Sequence, residues 1–77
     1  MREYRTYEQD LKELKITEKE FDNVISNIYD KTAAEMVALA KAIKTRANVL
    51  PAVKRAFERV LDMRYTERME AYNIYYN

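Results

Sequence analysis

Apolar residues recur along this chain at helical spacing, and nowhere do they alternate as a half-buried strand requires. The clearest stretch is Phe21, Val24, Ile25, Ile28 and Tyr29, spaced i, i+3, i+4, i+7, i+8. Just before it, Thr17 can accept the N–H of Glu20 while the Glu20 side chain returns to the N–H of Thr17. Ile16 and Phe21 complete a hydrophobic staple around that capping box. The pattern predicts a helix over about 18–29. Asp30-Lys31-Thr32 interrupts it, and Thr32 with Glu35 forms a second capping box. A helix over about 33–47 follows, with Met36, Leu39, Ala40, Ile43 and Ala47 on one face. Asn48-Val49-Leu50-Pro51 is the next break, since the residue before a proline is pushed out of the α region. Pro51 suits the first position of a helix, where its missing N–H costs nothing. A long last helix is expected over about 51–75.

Upstream, Tyr4, Tyr7, Leu11 and Leu14 have 3-4-3 spacing, and Thr6 with Gln9 and Asp10 with Glu13 each resemble a cap. This predicts a first helix over about 7–15. A rival reading continues the series through Glu18, Phe21, Ile25 and Ile28 as a heptad seam on one helix from about 3 to 30. The staple and the β-branched pair Ile16-Thr17 favour two helices. The expected fold is therefore all-α, a single domain over 1–77 built as a small bundle of three to four helices. Its expected core is Leu11, Leu14, Phe21, Val24, Ile25, Ile28, Met36, Leu39, Ile43, Leu50, Val53, Phe57, Val60 and Leu61.

Three surface patterns bear on function. On the back of the third helix, Ala34, Ala38, Ala42 and Thr45 form a stripe of small residues. It suits close helix approach, or equally an exposed face of good helix formers. In the last helix the apolar stripe changes side. Continuing the face of Val53, Phe57, Val60 and Leu61 reaches Arg64 and Arg68, whereas Tyr65, Met69, Tyr72 and Tyr76 lie about 110° away. A straight helix of that length spans about 37 Å, more than so small a core covers. Its distal half should then meet something else: the N-terminal segment, a second copy or a foreign partner. Finally, Tyr4, Tyr7, Tyr72, Tyr75 and Tyr76 crowd the chain ends, where they either close the bundle or anchor an interface.

Composition narrows the chemistry. There is no glycine among 77 residues, which removes the phosphate loops and nucleophile elbows that need positive φ. Cysteine and histidine are absent too, so disulfides, thiolate–zinc sites and the commonest general base are excluded. Paired carboxylates such as Glu18 and Asp22 occur with no partner base, and no enzyme chemistry or cofactor is expected. No apolar run nears the 18 residues of a membrane span and no signal-like segment opens the chain, so a soluble cytoplasmic protein is expected. The net charge of +1 hides an asymmetry, because residues 1–40 carry −3 and residues 41–68 carry +5.

A core of this size rarely supplies more than about 3–5 kcal/mol without a staple, which favours self-association. The expected function is binding of a protein partner as inhibitor, adaptor or regulator, and most readily as a homodimer. Tyr65, Arg68, Met69, Tyr72, Tyr75 and Tyr76 are the expected contacts. The alternative is a DNA-binding transcriptional regulator using the basic stretch 41–68, with Lys54, Arg55 and Arg59 on the nucleic acid. Against it stand a turn without glycine and a pI of about 7.9, low for a nucleic-acid binder.

Overall fold

Three threonines start three of the helices. In a computed structural model that describes residues 5–46 and 48–77, Thr6, Thr17 and Thr32 each sit in extended backbone and accept an N–H three residues on. The partner side chain, Gln9, Glu20 or Glu35, reciprocates to the threonine N–H at 2.9, 3.1 and 2.8 Å respectively. Two of the orphan amides at each helix start are thereby satisfied from within four residues of chain. The helices are α1 (Tyr7–Leu14), α2 (Glu18–Tyr29), α3 (Ala33–Thr45), α4 (Pro51–Met63) and α5 (Met69–Tyr76), and no strand occurs among the described residues. Tyr4 and Ala47, assigned above to helix faces, lie outside the described residues.

Lys15 ends α1 in the left-handed region, at φ 56, so α1 and α2 are separate helices and the single-seam reading does not hold. Helix α3 stops at Thr45 rather than near residue 47, where Arg46 turns extended. The larger correction is at the C-terminus. The described residues form five helices rather than three to four, and the long helix over 51–75 is broken. Residues 64–68 form a turn in which Arg64 and Arg68 both leave helical geometry, at φ −125 and −122. The rotated stripe thus marks a change of helix rather than a helix leaving its core. An unbroken helix would have carried two guanidinium groups down the face of Val60 and Leu61. The turn instead sends them to backbone carbonyls and brings Ala71 into the core at 1% exposure.

The helices pack in two pairs, α2 with α4 and α3 with α5, while α1 lies on α4. Within each pair the C-terminal ends meet. Arg64 Nη1 donates to the Tyr29 carbonyl at 2.8 Å, and Lys44 Nζ donates to the carbonyls of Ile74 and Asn77 at 2.9 and 3.0 Å. Both pairs therefore run parallel, and the α2–α3 and α4–α5 turns share one end of the molecule. Parallel helices bring negative dipole ends together, which a cation offsets by roughly 0.3–1 kcal/mol per charge. Arg64 and Lys44 occupy those positions.

The core is Phe21, Ile28, Met36, Ala40, Ile43, Ala56, Phe57, Val60, Leu61 and Ala71. All of the large residues among these were expected from periodicity. Of the three alanines, Ala40 was placed on the apolar face of the third helix but none was in the expected core, because periodicity does not separate a small buried residue from an exposed helix former. Leu11, Leu14, Val24, Ile25, Leu39 and Val53 are half-buried around this centre. Leu50 is a correction: it is 68% exposed, since the residue that precedes Pro51 is held extended outside the helix. The stripe on α3 faces solvent, with Ala34, Ala38 and Thr45 exposed and Ala42 half-buried.

Helix α1 is fastened by polar contacts. Asp10 is buried, and its carboxylate receives Arg59 Nε at 3.0 Å and Arg55 Nη1 at 3.5 Å. The Arg59 guanidinium lies 5.2 Å from the Tyr7 ring centroid and 6.0 Å from that of Phe21. Tyr7 donates to Asp22 at 2.6 Å, and this bond, ahead of desolvation, pushes its pKa up to about 12. A raised pKa means that the contact is present below the ordinary tyrosine range and is lost only as pH rises through about 12.

The capping boxes make an acid-stability prediction. The carboxyls of Glu20 and Glu35 are held below the ordinary 4.5, chiefly by the backbone N–H groups of Thr17 and Thr32. A depressed pKa contributes stability above the unfolded value and loses it as pH falls through the folded one. Thermal midpoints should fall as pH drops below 4.5, and Glu20→Ala with Glu35→Ala should flatten that slope. An unchanged slope in the double variant would remove both boxes from the acid response.

Candidate functional site

The shared end where both turns meet is the surface to examine for binding, because apolar side chains stay outside there. Five large hydrophobic residues are exposed among the described residues: Tyr29 at 43%, Leu50 at 68%, Met63 at 55%, Tyr65 at 44% and Met69 at 45%. All but Leu50 lie at this corner. Isolated exposed apolar residues are ordinary, whereas a cluster is informative.

Arginines build the corner. Arg64 bonds the Tyr29 carbonyl, and its guanidinium sits 4.8 Å from the centroid of the Tyr29 ring, holding that ring beside the α4–α5 turn. Arg64 also approaches Glu67 at 3.7 Å, an exposed pair of small energetic weight. Arg68 bonds the carbonyls of Lys31 at 2.9 Å and Glu67 at 3.1 Å, tying the two turns together. The corner is therefore a braced platform from which Met63, Tyr65 and Met69 project.

From Tyr65 a run of rings leads inward. Tyr65 meets Tyr72 edge-on at 4.7 Å, Tyr72 meets Tyr76 at 4.8 Å, Tyr76 meets Tyr75 at 4.9 Å, and Tyr75 meets the buried Phe57 at 5.1 Å. Edge-to-face pairs of this kind add about 0.5–1.5 kcal/mol beyond area burial. Tyr75 donates to Glu58 at 2.8 Å, and burial, reinforced by that bond, raises its pKa and keeps it neutral.

Of the six side chains expected to contact a partner, Tyr65 and Met69 are exposed at the corner. Tyr72, Tyr75 and Tyr76 are half-buried and pack against the core, and Arg68 is buried at 9% exposure. Arg68 was placed among contact residues because arginine is common at interfaces; here its guanidinium is spent on the fold. Tyr29 and Met63 belong to the corner and were missed. Tyr29 closes the stripe of α2 and Met63 directly precedes the turn, but only the docking of α2 against α4 makes them neighbours.

The nucleic-acid candidates are dispersed. Lys54 is exposed, but Arg55 and Arg59 are half-buried on Asp10, and Arg55 Nη2 also reaches Glu13 at 3.5 Å. Helices α3 and α4 follow one another in the chain, yet each packs mainly against another helix, unlike the two-helix unit of a helix-turn-helix. Among the described residues there is no group of three His, Cys, Asp or Glu side chains that could hold a metal, and no helix is long and apolar enough to cross a membrane. No known protein family, curated protein or solved structure matches this chain.

Proposed function

We propose that this protein is a non-enzymatic binding protein that engages a protein partner through the α4–α5 corner, as inhibitor, adaptor or regulator, and that it forms a homodimer. The observation that carries this reading is the concentration of exposed Tyr29, Met63, Tyr65 and Met69 on one braced corner. Methionine and tyrosine are both enriched at the buried centres of interfaces. The lack of histidine, cysteine and glycine supports a non-catalytic role.

A photo-crosslinking residue at Met69 should give discrete protein adducts, and the same residue at exposed Asn23 on α2 should not. Equal labelling from the two positions would remove the corner as a binding surface. A second reading, DNA binding, is favoured by one observation: the stretch from Met36 to Phe57 holds five basic residues and no acidic one. A salt-sensitive mobility shift at about 150 mM salt, weakened by Lys54→Ala, would establish it in place of the first.

A further inference from the structure

The two ends of the molecule are complementary in charge and alike in bearing exposed apolar residues. Helix α3 starts and α4 ends at the corner, so the α3–α4 connection lies at the opposite end, a helix length away. That end is basic. Of the five cations between Met36 and Phe57, Arg55 is turned to Asp10 and Lys44 to the end of α5. Lys41, Arg46 and Lys54 are exposed, and Leu50, the most exposed large hydrophobic residue described, stands in the same connection.

The corner has the opposite character. Asp30, Glu67 and Glu70 are exposed there, whereas Arg68 is buried and the Arg64 guanidinium is turned to the Tyr29 carbonyl and ring. The α3–α4 connection thus offers Leu50 beside exposed Lys41, Arg46 and Lys54, and the corner offers its apolar side chains beside exposed Asp30, Glu67 and Glu70, with Lys31 half-buried between the turns. Corner against corner would set Glu67 and Glu70 on their own copies, and end against end would oppose three cations to three. The crossed arrangement alone brings unlike charges together, and like-charge juxtaposition is what suppresses wrong pairings.

We propose that a second copy of this chain is the occupant: the corner of each copy seats on the Leu50 end of the other, closing a two-fold dimer. This rests on the reading of the corner as a protein-binding surface and names its partner. A two-fold axis makes the contact twice, since where residue i of one copy meets j of the other, j also meets i. Two modest patches then act as one interface, which suits a small fold whose sequence has no cysteine to form a disulfide brace.

Sedimentation of the full chain tests the pairing through a charge exchange. The wild-type protein should run at about twice 9.2 kDa at micromolar concentration. Glu67→Lys with Glu70→Lys should raise the dimer dissociation constant at least about tenfold, and Arg46→Glu with Lys54→Glu should do the same. An equimolar mixture of the two variants should dimerise again, because each corner then faces an end of opposite sign. Leu50→Ser should also weaken the dimer with the helical circular dichroism unchanged, a check that does not depend on reversing charge. The proposal is overturned by a wild-type monomer up to about 100 μM, by variants that stay dimeric, or by a mixture that stays monomeric. A monomer whose Met69 position still cross-links a foreign protein would sink the dimer and leave the corner's binding role standing, so the two fail separately.

Discussion

Asp10→Ala should lower stability by about 3 kcal/mol or more, because it strips the carboxylate from a largely buried ion cluster. The Asp10 side chain is 5% exposed, and its two partners, Arg55 and Arg59, are 19% and 24% exposed. Removing it leaves both guanidinium groups under α1 with only Glu13, 3.5 Å from Arg55, near them. Arg59 is already under-satisfied, since its Nη2 is buried without a hydrogen-bond partner among the described residues. A fold of this size holds only about 3–5 kcal/mol in reserve, so the variant should lose α1 first and be close to global unfolding. Hydrogen exchange should show the amides of Asp10 through Leu14 losing protection ahead of those in α2 and α4. Replacing both charges, Asp10→Leu with Arg59→Met, should recover most of the loss, as apolar replacement of a buried pair is often neutral. A denaturation midpoint unmoved by Asp10→Ala would reduce the cluster to the value of a surface pair, about 0.2–1 kcal/mol.

Arg68→Ala should cost about 3 kcal/mol, since two charge-assisted hydrogen bonds at about 1.5–3 kcal/mol each disappear together from a buried position. The residue is 9% exposed and joins the end of the α2–α3 turn, through the Lys31 carbonyl, to its own turn through Glu67. Its loss leaves the Lys31 carbonyl without that donor and removes the brace that sets α5 beside α3. Arg68→Lys should restore less than half of the stability, because an ammonium cannot present the planar fork that spans two carbonyls. Near-ultraviolet dichroism of the tyrosine cluster should collapse with Arg68→Ala while most far-ultraviolet signal remains. Full rescue by lysine would mean that charge at the helix ends, and not the geometry of the fork, sets the energy.

How much of this could be read in advance follows from the range of each interaction. The starts of α2 and α3 were legible because a capping box is complete within four residues: Thr17 with Glu20 and Thr32 with Glu35 need nothing from elsewhere in the chain. The large core residues from Phe21 to Leu61 were legible because 3.6-residue periodicity requires only that a core exist on one side. The stripe shift near Arg64 was also plain, but its cause was not. Local sequence there has no glycine or proline to end a helix, and the break is bought by contacts 35 and 37 residues away, from Arg64 to Tyr29 and Arg68 to Lys31. The roles of the basic residues on α4 were decided at the same distance. Arg55 and Arg59 read as candidate nucleic-acid contacts, whereas their partner Asp10 lies 45 and 49 positions upstream. Backbone geometry within a turn or two of helix is a local problem, so the residues themselves determined it. Which arginine is buried, which tyrosine stays in water, and which end is apolar depend on the parallel pairing of α2 with α4 and α3 with α5, and only the packed tertiary structure decides that.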